Sequence, residues 1–180
     1  VIFIPAGNPR LKQRRPRTTP QNRLDMVKLA VVDNPKFQVC EAEVVRPGPT
    51  YTVDTLEELS QKLGATITPP GGLFFILGLD ALTRLGEWKD PERIMELCRL
   101  VVMMRPGHSG ISWPQFYARH PGVEQRLELV ESIALDISGT ELRRRSEAGL
   151  PIRGLVPGKV EEDIHAHGLY GDETDVEAED

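Results

Sequence analysis

Ser138-Gly139-Thr140-Glu141-Leu142-Arg143, behind Ile137, puts two hydroxyls, a glycine and a guanidinium at the opening of a helix. This set of groups suits a polyphosphate. The first turn of a helix leaves amides unpaired, and with the helix dipole they favour an anion. Arg143, three residues beyond Thr140, shares its helical face and can grip phosphate oxygens by charge-assisted hydrogen bonds. The same residues also read as a plain helix start, with Ser138 or Thr140 as N-cap and Arg143 to Arg145 as a solvated face.

Other groups fall at the ends of apolar runs. Gly78-Leu79-Asp80 follows Leu73–Leu77, so Asp80 stands at the carboxyl edge where α/β sheets take ligands. An N-cap for a helix over 81–85 is the competing role. Arg105-Pro106-Gly107 follows Leu100–Met104 and also reads as a simple turn. His165 and His167, two apart on a helix, face different ways, and His108 and His120 have no partner at ligand spacing, so no metal site is expected. Cys40 and Cys98 lie far apart without a CxxC and are expected as small, reduced core residues in a cytosolic protein.

The elements that must position these groups alternate. Val1–Ile4 reads as a strand and residues 5–18 as a basic, Pro-rich loop carrying Arg10, Lys12, Arg14, Arg15 and Arg17. Thr19-Pro20 opens a helix over 20–33 with Leu24, Val27, Ala30 and Val31 at helical spacing. Phe37–Cys40 is a short strand, and Thr52 or Thr55 caps a helix to about Lys62, Thr55 with capping-box spacing. Leu73–Leu77, unbroken and apolar, predicts a central parallel strand covered on both faces. Leu100–Met104 repeats that texture. Short helices are expected at 79–85 and 91–98, helices at 113–120, 140–148 and 157–167, and a strand at Ile133–Leu135. The alternation predicts an α/β, doubly wound parallel sheet.

The chain has 180 residues, 39 % apolar and 27 % charged, room for one domain with its own core. Its formal charge is -5. Residues 172–180 carry six acids and no base, leaving residues 1–171 at 22 bases against 21 acids. The near-neutral body excludes a broad nucleic-acid surface while allowing a local phosphate site. Residues 1–171 are expected as the domain and 172–180 as an acidic, solubilising tail. No apolar run reaches membrane-spanning length.

Taken together, several motifs resemble the bacterial nicotinate-nucleotide adenylyltransferases of the HIGH-type nucleotidyltransferase superfamily. These are Tyr51-Thr52-Val53-Asp54-Thr55-Leu56, Gly78-Leu79-Asp80 with Trp88 beyond it, Arg105-Pro106-Gly107, Ile137–Arg143 and Gly168-Leu169-Tyr170. They occur in family order from Phe3 to Tyr170. The resemblance implies a Rossmann-like fold and adenylyl transfer from ATP to nicotinate mononucleotide, with Mg²⁺ accompanying ATP. Gly78, Asp80, Arg105, Ile137, Ser138, Thr140 and Arg143 are implied on the ATP side, and Tyr51, Thr52 and Trp88 around the pyridine nucleotide. Lys12 and Arg143 are the cations implied for catalysis. Related adenylyltransferases acting on nicotinamide mononucleotide or pantetheine phosphate, and a non-catalytic nucleotide-binding protein, are the alternatives. Neither a membrane nor a nucleic acid is an expected partner, and both a monomer and a homo-oligomer fit.

The chain departs from the family pattern at three places. Thr50 stands where serine is usual and keeps the hydroxyl. Pro9-Arg10-Leu11-Lys12 stands for Pro-Pro-His-Lys, and Leu11 cannot replace an imidazole. The family's Gly-x-Phe-Asp-Pro-x-His-x-Gly-His segment, whose histidines meet the ATP phosphates, is absent ahead of Val1. The resemblance implies a strand and helix there, with the first strand of this chain pairing to it, and poor catalysis without it.

Overall fold

The computed structural model describes residues 1–8, 18–64, 72–104, 111–131, 133 and 137–171. Lys12, Leu11, Arg105 and the 172–180 tail lie outside them. In chain order the elements are β1 (Ile2–Phe3), α1 (Pro20–Val31), β2 (Gln38–Val39), α2 (Ala42–Val45), α3 (Thr52–Leu63), β3 (Leu73–Gly78) and α4 (Leu79–Leu82). There follow α5 (Pro91–Leu97), β4 (Cys98–Met104), α6 (Trp113–Arg119), β5 (Leu127–Glu131), α7 (Gly139–Glu147) and α8 (Gly158–Ala166), with 3-10 turns at Leu85–Glu87 and Val123–Arg126. All strand pairing among the described residues is parallel, as an α/β crossover design requires. No helix among the described residues is long and apolar enough to cross a membrane.

The chain divides into two compact units, one built from residues 1–8, 18–48 and 137–171, the other from 49–131 and 133 among the described residues. In the first, Thr19 caps α1 by accepting the Asn22 amide at 3.1 Å, and Pro20 occupies a first-turn position where no N–H is needed. β1 pairs with β2 in register Ile2↔Gln38 and Phe3↔Val39. Among the described strands β1 has no second neighbour. Ile152, Val160 and Ile164 form this unit's core, against Met26 and Leu29 of α1 and Leu142 of α7. Gly168, at φ 59°, takes the left-handed turn that closes the C-terminal helix region.

The second unit holds a three-stranded sheet in the order β3-β4-β5. One face is packed. Leu77, Leu100 and Val102 are buried against Val53 and Leu56 of α3 and Ile94 and Leu97 of α5. The other face carries Phe74 and Ile76, 52 % and 54 % exposed. The expectation of a central β3 covered on both sides is therefore corrected. β4 is the middle strand of the three, and the unbroken apolar run of β3 alternates between a packed and an open face.

Other expectations shift. The 79–85 helix is split into α4 and a 3-10 turn. The strand predicted at Ile133–Leu135 is not where the third strand runs: β5 lies at Leu127–Glu131, and Ile133 is exposed outside any strand. Residues 134 and 135 fall outside the described residues. Short α2 carries no strong periodicity and was not foreseen. Cys98 is buried as expected, while Cys40 is only half-buried.

Candidate active site

In the first unit the groups sit at the start of α7. Ser138 is the N-cap, its hydroxyl accepting the Glu141 amide at 3.1 Å, and the Leu142 amide reaches the Ser138 carbonyl. The amides of Gly139 and Thr140 are left without an acceptor among the described residues. They, the dipole of this nine-residue helix and the exposed Thr140 hydroxyl are offered to solvent. Ile137, 40 % exposed, precedes them. Arg143 folds back over this turn, its Nη2 donating to Thr140 Oγ1 at 3.3 Å. A Cβ on Gly139 would lie 3.2 Å from Arg143 Nη1, so the glycine is what lets the guanidinium lie so close.

The three consecutive arginines separate by their partners. Arg144 is held bidentately by Glu141, with both bonds at 2.8 Å. Those hydrogen bonds hold the Glu141 carboxyl below its ordinary pKa and raise that of Arg144. Arg145 donates twice to the Pro151 carbonyl, at 3.0 and 2.8 Å. Arg143 makes no ion pair among the described residues, so its charge is available to an anion. The residues of the run thus separate: Ser138 caps, Arg144 belongs to a solvated ion pair, and Arg143 faces the helix start.

In the same unit the Arg23 guanidinium donates to the carbonyls of Ala6, Gly7 and Thr18 at 2.6, 2.8 and 2.6 Å, tying the segment ahead of residue 9 to the start of α1. Burial lowers the Arg23 pKa, and Tyr170 nearby partly offsets this.

In the second unit Gly78 ends β3 and stands as N-cap of α4 without a capping side chain. A Cβ there would meet nothing within 4 Å, so Gly78 borders open space. Asp80 lies inside the first turn of α4, exposed, and is not the N-cap of a later helix. The competing capping role falls away, because the helix begins one residue before Asp80.

α3 starts differently from what the capping-box spacing predicts. Its N-cap is Tyr51, with no side-chain cap, and Thr55 turns inward to donate its hydroxyl to the Tyr51 carbonyl at 3.3 Å. The amides of Thr52, Val53 and Asp54 have no acceptor among the described residues. Thr50, just ahead, is 7 % exposed, and its hydroxyl is buried without a partner. Trp88 is half-buried, its ring edge-on to Phe75 at 5.8 Å, so one side belongs to the core. Lys89 brings that loop to α3: its Nζ is 2.8 Å from Asp54 Oδ1 and 4.7 Å from the centre of the Tyr51 ring. Lys89 thus places the Trp88 loop beside Tyr51 and the start of α3.

Sequence reasoning missed Lys89, Asp54 and Arg23 as positioning groups. A signal for the first two exists: Asp54 and Glu57 are spaced three apart, Lys89 and Arg93 four apart. In the structure they form a two-rung ladder, with Arg93 Nε 2.9 Å from Glu57 Oε1.

Helix starts with free amides, and a glycine at a strand's carboxyl end, are places where parallel α/β proteins take phosphate groups. Residues 1–145 match the family described as cytidylyltransferase-like. The probable nicotinate-nucleotide adenylyltransferase of Roseiflexus sp. is 44 % identical over 170 residues, covering 94 % of this chain and 82 % of the relative. That of Thermomicrobium roseum is 41 % identical, covering 94 % and 77 %. The Plasmodium falciparum nicotinic acid mononucleotide adenylyltransferase complexed with NaAD shares the fold, with a TM-score of 0.67 at 18 % identity over 94 % of this chain and 81 % of that one. The chain belongs to the cytidylyltransferase-like family and, within it, to the nicotinate-nucleotide adenylyltransferases.

Proposed function

We propose that this protein transfers the adenylyl group of ATP to nicotinate mononucleotide, giving deamido-NAD and pyrophosphate in NAD biosynthesis. The observation that carries the reading is Arg143, folded over the uncapped amides of Gly139 and Thr140 while its two neighbours are engaged elsewhere. The relatives' names support it.

The reaction is an in-line displacement. An oxygen of the mononucleotide 5′-phosphate forms a bond to the α-phosphorus of ATP as the bond to the bridging oxygen breaks, and pyrophosphate leaves with that electron pair. The attacking phosphate is largely ionised near neutral pH, its second pKa being about 6, so no protein base is required. The protein's work is alignment and neutralisation of charge. Arg143, Ser138, Thr140 and the α7 amides, with Ile137 ahead of them, serve the ATP phosphates. Gly78 and Asp80 serve the ATP side at the end of β3, with Arg105 and Lys12 as further contacts outside the described residues. Tyr51 and Thr52 receive the nicotinate carboxylate, and Trp88 flanks the ring.

Mg²⁺ enters the proposal with ATP, bound through phosphate oxygens, where it offsets negative charge. Among the described residues no group of three or more His, Cys, Asp or Glu side chains could hold a metal ion. Residues 1–171 act as the catalytic domain in this reading, and the free thiols Cys40 and Cys98 suit a reducing, cytosolic setting.

The test is a steady-state comparison of nicotinate mononucleotide, nicotinamide mononucleotide and pantetheine phosphate, each with ATP, following pyrophosphate release. The acid mononucleotide should have much the highest kcat/KM. Preference for another acceptor, or nucleotide binding without turnover, would overturn the proposal.

A further inference from the structure

The start of α3 carries a conflict. Free amides at Thr52, Val53 and Asp54 attract an anion, but the Asp54 carboxylate sits in the same first turn and repels one. Lys89 lies 2.8 Å from that carboxylate and 4.7 Å from the Tyr51 ring centre, on the residue after Trp88. The Thr50 hydroxyl, buried and unpartnered immediately before Tyr51, is a second polar group left unsatisfied beside this helix start.

We propose that Lys89 is a specificity-determining residue for an anionic ring substituent: by neutralising Asp54 it lets the start of α3 attract a carboxylate. The inference rests on the reading that this helix start receives the nicotinate ring. With Lys89 present, Asp54 and Lys89 sum to zero and the helix dipole sets the sign of the local field. Without it, Asp54 stands alone in the helix turn whose amides would take the carboxylate, and one turn of a helix lies inside the roughly 8 Å screening length at physiological salt. Nicotinamide mononucleotide, whose ring substituent is neutral, feels the difference much less. The charge of Lys89 therefore acts on acid-versus-amide discrimination more than on the rate of either reaction. The hydrogen bond to Asp54 raises the Lys89 pKa, so the ammonium stays charged throughout the neutral range. Arg93 continues the ladder on Glu57 and fixes α5 against α3, leaving Lys89 to act at the helix start.

A charge-cancelling pair makes a signed test. Lys89→Met, Asp54→Asn, the double variant and Lys89→Arg are compared with wild type in the full-length protein, with ATP saturating and thermal melting as a folding control. The readout is the ratio of kcat/KM for nicotinate mononucleotide to that for nicotinamide mononucleotide. Lys89→Met should lower this ratio about tenfold, mainly through KM for the acid, and more weakly at high salt. Asp54→Asn should hold or raise the ratio, the double variant should recover most of the loss, and Lys89→Arg should keep the wild-type value. An unchanged ratio in Lys89→Met, equal losses on both mononucleotides, or no recovery in the double variant would overturn the role. A wild-type protein that adenylylates neither mononucleotide, or that shows no preference for the acid, would instead remove the functional reading beneath it.

Discussion

Gly139→Ala separates the charge of Arg143 from its position. The added Cβ would lie 3.2 Å from Arg143 Nη1, tighter than ordinary van der Waals contact, so the guanidinium must yield by a few tenths of an ångström. It is the far end of a flexible side chain, so the fold can accommodate it. Alanine is also the better helix former, by up to about 1 kcal/mol and less in a first turn, so the melting temperature should hold or rise. Activity should move the other way. A charged hydrogen bond strengthened in the transition state is worth about 1.5–3 kcal/mol, or roughly 10- to 100-fold in rate. Arg143→Ala should therefore lower kcat/KM for ATP by roughly 10²-fold, and Gly139→Ala by several-fold up to about tenfold, since misplacement costs part of the same term. Arg144→Ala is the control: its partner is Glu141 on an exposed face, where such pairs contribute about 0–1 kcal/mol, and turnover should stay at wild type. Steady-state kinetics with ATP varied, beside thermal melts, decide the matter. If Arg143→Ala turns over like wild type, or if Gly139→Ala melts lower with kinetics unchanged, Arg143 belongs to the solvated face and the phosphate assignment fails.

Burial pushes the Cys98 thiol up to about 12, so at pH 8 a native alkylation should modify Cys40 alone, read as a single adduct by intact mass; two rapid adducts would contradict the packed face of β4. Arg23→Met removes three hydrogen bonds to the Ala6, Gly7 and Thr18 carbonyls and should lower stability by roughly 2 kcal/mol, seen in urea melts, with midpoints equal to wild type counting against the clamp. Leu100→Ala opens the fully buried centre of the three-stranded sheet and should cost about 2–5 kcal/mol, measured the same way; a loss under 1 kcal/mol would mean that this face is not packed.

Local rules made much of the molecule readable. Thr19-Pro20 opening α1 and Ser138 opening α7 are contacts between residues three apart, which a sequence displays directly. The run Ile137–Arg143, the glycine-aspartate after β3 and the family order of the motifs were legible for the same reason: each is a short stretch whose chemistry follows from its spacing. Tyr51 as an uncapped N-cap was not, because Thr52 and Thr55 offer equally good local caps and only packing turns Thr55 inward.

What the sequence by itself determined is the class of most elements, their order and the residues that open α7 and end β3, since helix starts, apolar runs and turn residues act over a few positions. Which strand lies in the middle of the sheet depended on tertiary structure, because an apolar run has the same texture whether one face is packed or two. The availability of Arg143 likewise depended on where its neighbours found partners: Arg145 is taken by the Pro151 carbonyl, which the turn after α7 brings round. The meeting of Lys89 with Asp54, 35 residues apart, exists only once α3 and the Trp88 loop pack together. The 54/57 and 89/93 spacings put like charges on one face of each segment, but which segments meet is decided by the packed core, which meets the entropy of closing the intervening chain.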